Sequence, residues 1–109
     1  MTRRAVYLSG PMTGWIDYNK QWFMDEAAVW ASFGVKVFNP HTFCGEDLIK
    51  ILHKYTRLAW YLAMARDLLI MLYARVRYDL VVYVHPCWLL SKGARIEVAF
   101  AHQLGVEVI

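Results

Sequence analysis

The sequence predicts an α/β protein built on a parallel sheet, and three observations carry that prediction. Short apolar runs rich in strand formers alternate with longer stretches of helical periodicity. Glycine, proline or Asn-Pro stands at the end of most runs, where a chain must turn. The run Asp79 to Val84, DLVVYV, carries four β-branched or aromatic residues in succession, the pattern of a strand buried on both faces. At 109 residues and 12.8 kDa the chain has material for one domain with a single core.

The elements follow in order. Ala5 to Ser9 is a strand, stopped by Gly10-Pro11. Asp17 is positioned to cap a helix over Tyr18 to Phe33, in which Phe23, Ala27, Trp30 and Phe33 recur at helical spacing; Gly34 ends it. Val35 to Phe38 is a second strand, closed by Asn39-Pro40, and His41 to Gly45 is loop. Glu46 to Ala65 reads as mainly helical with a break near His53 to Thr56, and Asp67 opens a further helical segment to Ala74. After the strand at Asp79 to Val84, Ser91 to Leu104 is a helix stopped by Gly105, and Val106 to Ile109 is a last strand. The order β-α-β-α-α-β-α-β with right-handed crossovers predicts a Rossmann-like three-layer sandwich whose parallel sheet runs 2-1-3-4. Its ligand crevice then opens between the carboxyl ends of the first and third strands. Ser9 to Gly14 and His85 to Gly93 are the segments that reach it.

Composition excludes several classes. A hydrophobic fraction of 59% rules out disorder. The most apolar stretch, Leu58 to Tyr73, is split by Arg66-Asp67 and falls short of a membrane span. The apolar run after MTRR is too short for a signal peptide, so a cytoplasmic location is expected. A net charge of +3 suits an anionic small molecule and gives no argument for nucleic acid. The apolar surplus points instead to a homodimer or higher oligomer, with an apolar helical interface within Glu46 to Tyr73. Cys44 and Cys87 imply no disulfide framework. His41-x2-Cys44 and His85-x-Cys87 supply four zinc-type ligands, but without a paired CxxC knuckle. They read as loop histidines and reduced thiols, and neither metal nor cofactor is expected.

Candidate chemistry gathers at the crevice. Ser91 can cap the following helix, and Gly93 allows close backbone approach, making an anion site of the free N–H groups and the helix dipole. Glu97 stands among Ile96, Val98, Ala99 and Phe100, so it is either a solvated surface residue or a deliberately placed carboxylate. Asp67 reads as a helix-start dipole partner, Asp79 as a turn residue and Tyr7 as core, yet their segments converge with Glu97. Two carboxyls and a tyrosine are the set glycosidic chemistry uses. Trp15, Trp22 and Trp88 are candidates for stacking on a base, with core packing the default for Trp22 and the crevice loop favouring Trp88.

Tyr7-Leu8-Ser9-Gly10-Pro11-Met12 with Gly14, then Asn39-Pro40, resemble the opening of the nucleoside 2-deoxyribosyltransferase superfamily. The closer likeness is to its small phage and bacterial branch of unassigned function that carries SGPMTG. Met64 to Leu68, Tyr78 to Val82 and the run Ser91-Lys92-Gly93-Ala94-Arg95-Ile96-Glu97 with Leu104-Gly105 continue the pattern over nearly the whole chain. The resemblance implies Glu97 as the nucleophile at C1′ of a (deoxy)ribose, Asp67 as the group assisting the leaving base, and Tyr7 as the holder of the nucleophile. It implies that Gly10, Ser91 and Gly93 line the sugar or 5′-phosphate; the crevice reading adds Ser9, Met12, Asp79 and Trp88 as candidate substrate-binding residues. Relatives that hydrolyse deoxynucleoside monophosphates share the serine and glycine and act as dimers. The chain departs from the branch after the third strand, where Val84-His85-Pro86-Cys87-Trp88 stands in place of LPGW. The implied activity is hydrolysis or base exchange at an N-glycosidic bond; the alternative is a non-catalytic nucleotide binder on the same scaffold.

Overall fold

The computed structural model describes residues 3–12, 14–42 and 57–109. Four parallel strands, β1 (Arg4–Ser9), β2 (Lys36–Phe38), β3 (Asp79–Val84) and β4 (Glu107–Val108), form one sheet in the order β2-β1-β3-β4. This is the order expected. The register sets Tyr7 beside Phe38 and Val82, and Ser9 beside Val84. β4 is shorter than Val106 to Ile109, although hydrogen bonds from Ile109 to Val82 (2.8 Å) and from Val84 to Ile109 (3.0 Å) carry the pairing onward.

Among the described residues three helices cover the sheet: α1 (Lys20–Ser32), α2 (Arg57–Arg77) and α3 (Lys92–Gln103). Side chains alternate across a strand, so successive residues of β1 serve opposite layers. Val6 and Leu8 pack with Phe23, Trp22, Ala27 and Trp30 of α1. Ala5 and Tyr7 pack with Met71 and Ala74 of α2 and Ala101 of α3. Gly34 and Gly105, at φ 77° and 70°, take the left-handed positions that end α1 and α3.

Two expectations are corrected. Asp17 does not cap α1: Asp17, Tyr18 and Asn19 form a left-handed turn (φ 47°, 53° and 63°), and the helix starts at Lys20. Asp and Asn tolerate that region better than most residues, and the ring nitrogen Nε2 of His41 meets the Tyr18 carbonyl oxygen, which ties the turn down. Asp67 does not open a helix either. It lies in the middle of α2, which runs unbroken for 21 residues because nothing between Arg57 and Arg77 is a glycine or proline. The helical reading of Glu46 to Thr56, its break near His53, and Cys44 fall outside the described residues.

Met71 has no exposed surface and joins α2 to the sheet. Met71→Ala is expected to lower the unfolding free energy by about 2–5 kcal/mol, the range for emptying a buried methionine-sized site, measured by urea titration. A change within 0.5 kcal/mol or so, as surface substitutions give, would contradict this packing.

Candidate functional site

A cavity of about 320 Å³ opens where the crevice was expected, at the carboxyl ends of β1 and β3. That volume is at the lower end of small-molecule sites. Its walls come from three places: Gly10, Pro11, Met12 and Trp15 after β1; Leu90 to Ala94 and Glu97 from the start of α3; and Trp60, Met64, Arg66 and Asp67 from α2. Pro40 closes one side.

Glu97 is 5% exposed. It belongs to the stripe Ala94, Glu97, Val98 and Ala101, all buried, by which α3 packs on the sheet. Of the two readings left open for this residue, the structure selects the placed carboxylate. Tyr7 and Ser9 project from the same face of β1 because they are two residues apart. The Tyr7 hydroxyl donates to Oε2 of Glu97, and the Ser9 hydroxyl donates to Oε1 at 3.0 Å. Both carboxyl oxygens are thus held by buried donors from one strand.

Burial pushes the Glu97 carboxyl up from its ordinary value of 4.5 to about 8, and the charge of Asp67 adds to the rise; the Tyr7 and Ser9 hydrogen bonds work against it. Burial raises Asp67 as well, while the Arg66 guanidinium pulls it back. Arg66 places both Nε (3.1 Å) and Nη2 (2.8 Å) on Oδ1 of Asp67. Burial, reinforced by the charges of Glu97 and Asp67, raises Tyr7 well above the usual phenol range, so it remains a proton donor.

At the N-terminus of α3 Ser91 caps the helix, as read from the sequence. The Ser91 hydroxyl accepts from the Ala94 N–H at 3.1 Å, and Ser91, Lys92 and Gly93 all line the cavity. Gly10 is required for close approach: a Cβ there would stand 2.8 Å from Cβ of His85 and 3.2 Å from the Trp22 ring. Beyond that contact, the His85 N–H bonds the Ser9 carbonyl at 2.8 Å, which binds the end of β1 to the turn after β3.

Glu97, Asp67, Tyr7, Ser9, Gly10, Met12, Ser91 and Gly93 are therefore brought to one place. Asp79 and Trp88 are not. Asp79 begins β3, about 17 Å from its carboxyl end at strand rise, and forms an exposed pair with Arg4 at 3.6 Å. Trp88 sits in the short 3₁₀ turn Trp88–Leu90, from which Leu90 lines the cavity instead. Trp22 packs against Phe23, Tyr83 and His85. The indoles at the cavity are Trp15 and Trp60.

Sequence reasoning missed Trp60, Met64, Arg66 and Lys92. The first three share the α2 face that carries Asp67, a signal visible once α2 is treated as one helix. Lys92 rests its Nζ 5.0 Å from the Trp60 ring and 5.3 Å from the Tyr61 ring, a cation–π contact across the cavity mouth. Among the described residues no group of three or more His, Cys, Asp or Glu side chains is placed to hold a metal ion. Nδ1 of His85 accepts from the Cys87 N–H at 2.9 Å.

The raised Glu97 carboxyl fixes a sign for stability against pH. Between 4.5 and about 8 the folded chain holds a proton that the unfolded chain releases. The contribution of Glu97 is thus fully present below 4.5 and lost as pH rises through about 8. Glu97→Gln should remove that dependence. The parent is expected to lose a few kcal/mol from this source between roughly pH 5 and pH 8, while the variant does not. Urea midpoints at both pH values check it, and parallel losses in the two proteins would refute it.

Comparison with curated proteins and with solved structures yields no match. Residues 4–109 match the family described as Domain of unknown function (DUF4406), so the chain, with its sheet-anchored carboxylate and helix-lined cavity, belongs to that family.

Proposed function

We propose that the protein cleaves the N-glycosidic bond of a (deoxy)nucleoside 5′-monophosphate or nucleoside through a glycosyl-enzyme ester, ending in hydrolysis or base exchange. One observation carries the reading: a buried carboxylate, held on both oxygens by Tyr7 and Ser9, shares a cavity with a second buried carboxyl, Asp67. The resemblance of the Ser9 to Gly14, Met64 to Leu68 and Ser91 to Glu97 runs to nucleoside 2-deoxyribosyltransferases supports it further.

The chemistry follows from those groups. An oxygen of ionised Glu97 attacks C1′, the C1′–O bond forms, and the C1′–N bond breaks. The electron pair leaves with the base, whose nitrogen takes a proton from Asp67, to which Glu97 has passed the proton it holds in the resting site. Charge developing on the sugar is stabilised by the adjacent carboxylate. Water, giving its proton back to Asp67, or a second base then attacks C1′ and releases Glu97, so configuration is retained. Displacement by a carboxylate needs no resident cofactor. Trp15 and Trp60 offer faces for the base, and the α3 N-terminus with Ser91 and Lys92 offers donors and positive charge for a phosphate. We place this activity in the cytoplasm.

The second reading, a nucleotide-binding protein without turnover, is favoured by the Glu97 carboxyl itself, which at about 8 is largely protonated at neutral pH. Incubation with a panel of nucleosides and monophosphates, followed by chromatography for free base, separates the two. Turnover is expected, with kcat/KM falling as pH rises above about 8, where the carboxyl pair loses its last proton. Glu97→Ala should reduce it by about a thousandfold or more. Binding without base release at any pH, or a Glu97→Ala protein with near-parental turnover, defeats the proposal.

Phosphate recognition has its own test. The parent should prefer a monophosphate to its nucleoside in kcat/KM. Ser91→Ala, which removes a hydrogen bond to a charged group, should shrink that preference about tenfold or more. Equal losses for both substrates would mean that Ser91 serves only as the α3 cap.

A further inference from the structure

Arg66 and Lys92 are the cations of the cavity wall, and they differ in what holds them. Arg66 is fixed on Asp67. Lys92 meets no carboxylate among the described residues, and Glu97, the other acid of the wall, is held by Tyr7 and Ser9. The Lys92 ammonium rests instead in the corner between the Trp60 and Tyr61 rings, which stand at 84° to each other, and it donates to the Tyr61 hydroxyl at 3.4 Å.

That hold is weak, and its base is firm. A hydrogen bond of 3.4 Å is long, and a cation–π contact at an exposed site gives only about a two- to fivefold preference for the parked position. The backbone beneath cannot follow the side chain: Ser91 caps α3, and a Cβ on Gly93 would stand 3.3 Å from Sδ of Met64, so the first turn of α3 lies against α2. What can move is the flexible stem, which carries a compact, strongly hydrated charge. An ammonium over the Trp60 indole also stands where a stacking base would stand, on a ring that lines the cavity. Lys92 and a base therefore compete for Trp60, unless the ligand brings an anion that draws Lys92 away.

We infer that Lys92 is a specificity residue that acts by exchange: in the free protein it covers Trp60, and it leaves that ring for the phosphate of a nucleoside 5′-monophosphate as the base takes its place. The inference rests on the nucleotide reading of the cavity given above and extends it. A neutral nucleoside has to displace the ammonium and offers it no anion, whereas a monophosphate does both in one step. Discrimination against the nucleoside is thus built into the free state, as a repulsive element beside the attractive one. Ser91 supplies only attraction, so the two residues are separable by experiment.

Titration calorimetry with each common 2′-deoxynucleoside and its 5′-monophosphate tests it, in the Glu97→Gln protein so that no base is released. Added to that protein, Lys92→Ala should tighten the nucleoside about two- to fivefold and weaken the monophosphate about fivefold or more, the loss of a charge-assisted hydrogen bond outweighing the smaller gain. A residue that merely lends positive charge would weaken the monophosphate and leave the nucleoside unchanged, so tightening of the nucleoside is the readout specific to exchange. The side chain of Lys92 is exposed, and its truncation should leave the fold intact. The parked position has its own readout in the parent labelled with carbon-13 lysine. The ε-methylene resonance of Lys92, identified by its loss in Lys92→Ala, should lie upfield under the Trp60 ring current and return downfield in Trp60→Leu. Nucleoside affinity unchanged or lowered by Lys92→Ala, or a Lys92 resonance indifferent to Trp60→Leu, overturns the inference; base release by the parent would then leave the reaction standing without it. Opposed affinity changes with no base release by the parent support the inference on a binding protein. Failure of every pair to bind overturns the nucleotide reading and the inference together.

Discussion

A carboxylate taken out of water must find its hydrogen bonds inside the protein, and the architecture turns on how Glu97 finds them. Tyr7 and Ser9 can both reach it only if they stand on one face of one strand, and only if α3 lies directly over that strand. The first condition is met by the alternation of β1, the second by the stripe of Ala94, Val98 and Ala101 that seats α3 on the sheet. β1 in turn must be central, with β2 and β3 on either side, so that its end is rigid and its donors are shielded from solvent. The His85 amide closes the arrangement by pinning the Ser9 carbonyl.

That arrangement works against stability. Glu97 retains a proton to about pH 8 because burial and the charge of Asp67 outweigh two hydrogen bonds. A hydrophobic residue in the same stripe would pack against the sheet without that penalty. Strongly perturbed carboxyls in a cavity are the usual mark of a functional site, and here the perturbation has a stated physical source. Asp67 shows the complementary device: an arginine next to it in sequence bends back to one carboxyl oxygen and moderates the effect of burial.

Helix α2 links these local facts to the larger surface. One face brings Trp60, Met64, Arg66 and Asp67 to the cavity, and the opposite face presents a leucine seam. With apolar residues on both faces, α2 shows no clean polar side, and a reading of the sequence finds neither its full length nor the position of Asp67 within it. Phe33 illustrates the same limit on α1: it keeps helical spacing with Phe23 and Trp30, yet stands just beyond the helix end and is exposed.

Local rules were enough for the strands, the glycine stops and the 2-1-3-4 order, because alternation, breakers and crossover handedness act over a few residues or permit few topologies. They were enough as well to bring the segments after β1 and β3 to one crevice, and so to select Gly10, Met12, Ser91 and Gly93 as its lining. The periodic stripe through Ala94, Val98 and Ala101 already contained Glu97, but spacing alone could not tell a solvated glutamate from a buried one. That depends on whether donors from a strand 88 and 90 residues away in sequence stand opposite it, which only the packing of α3 on β1 decides. The same holds for the residues that changed places. Asp79 was drawn to the site by its strand and Trp88 by its loop. The direction of β3 carries the first to the opposite end of the strand, and the 3₁₀ turn hands the cavity wall to Leu90 in place of the second. Residue types and their spacing determine which elements form; which side chains meet is set by the distances between elements, and those exist only once the sheet is assembled.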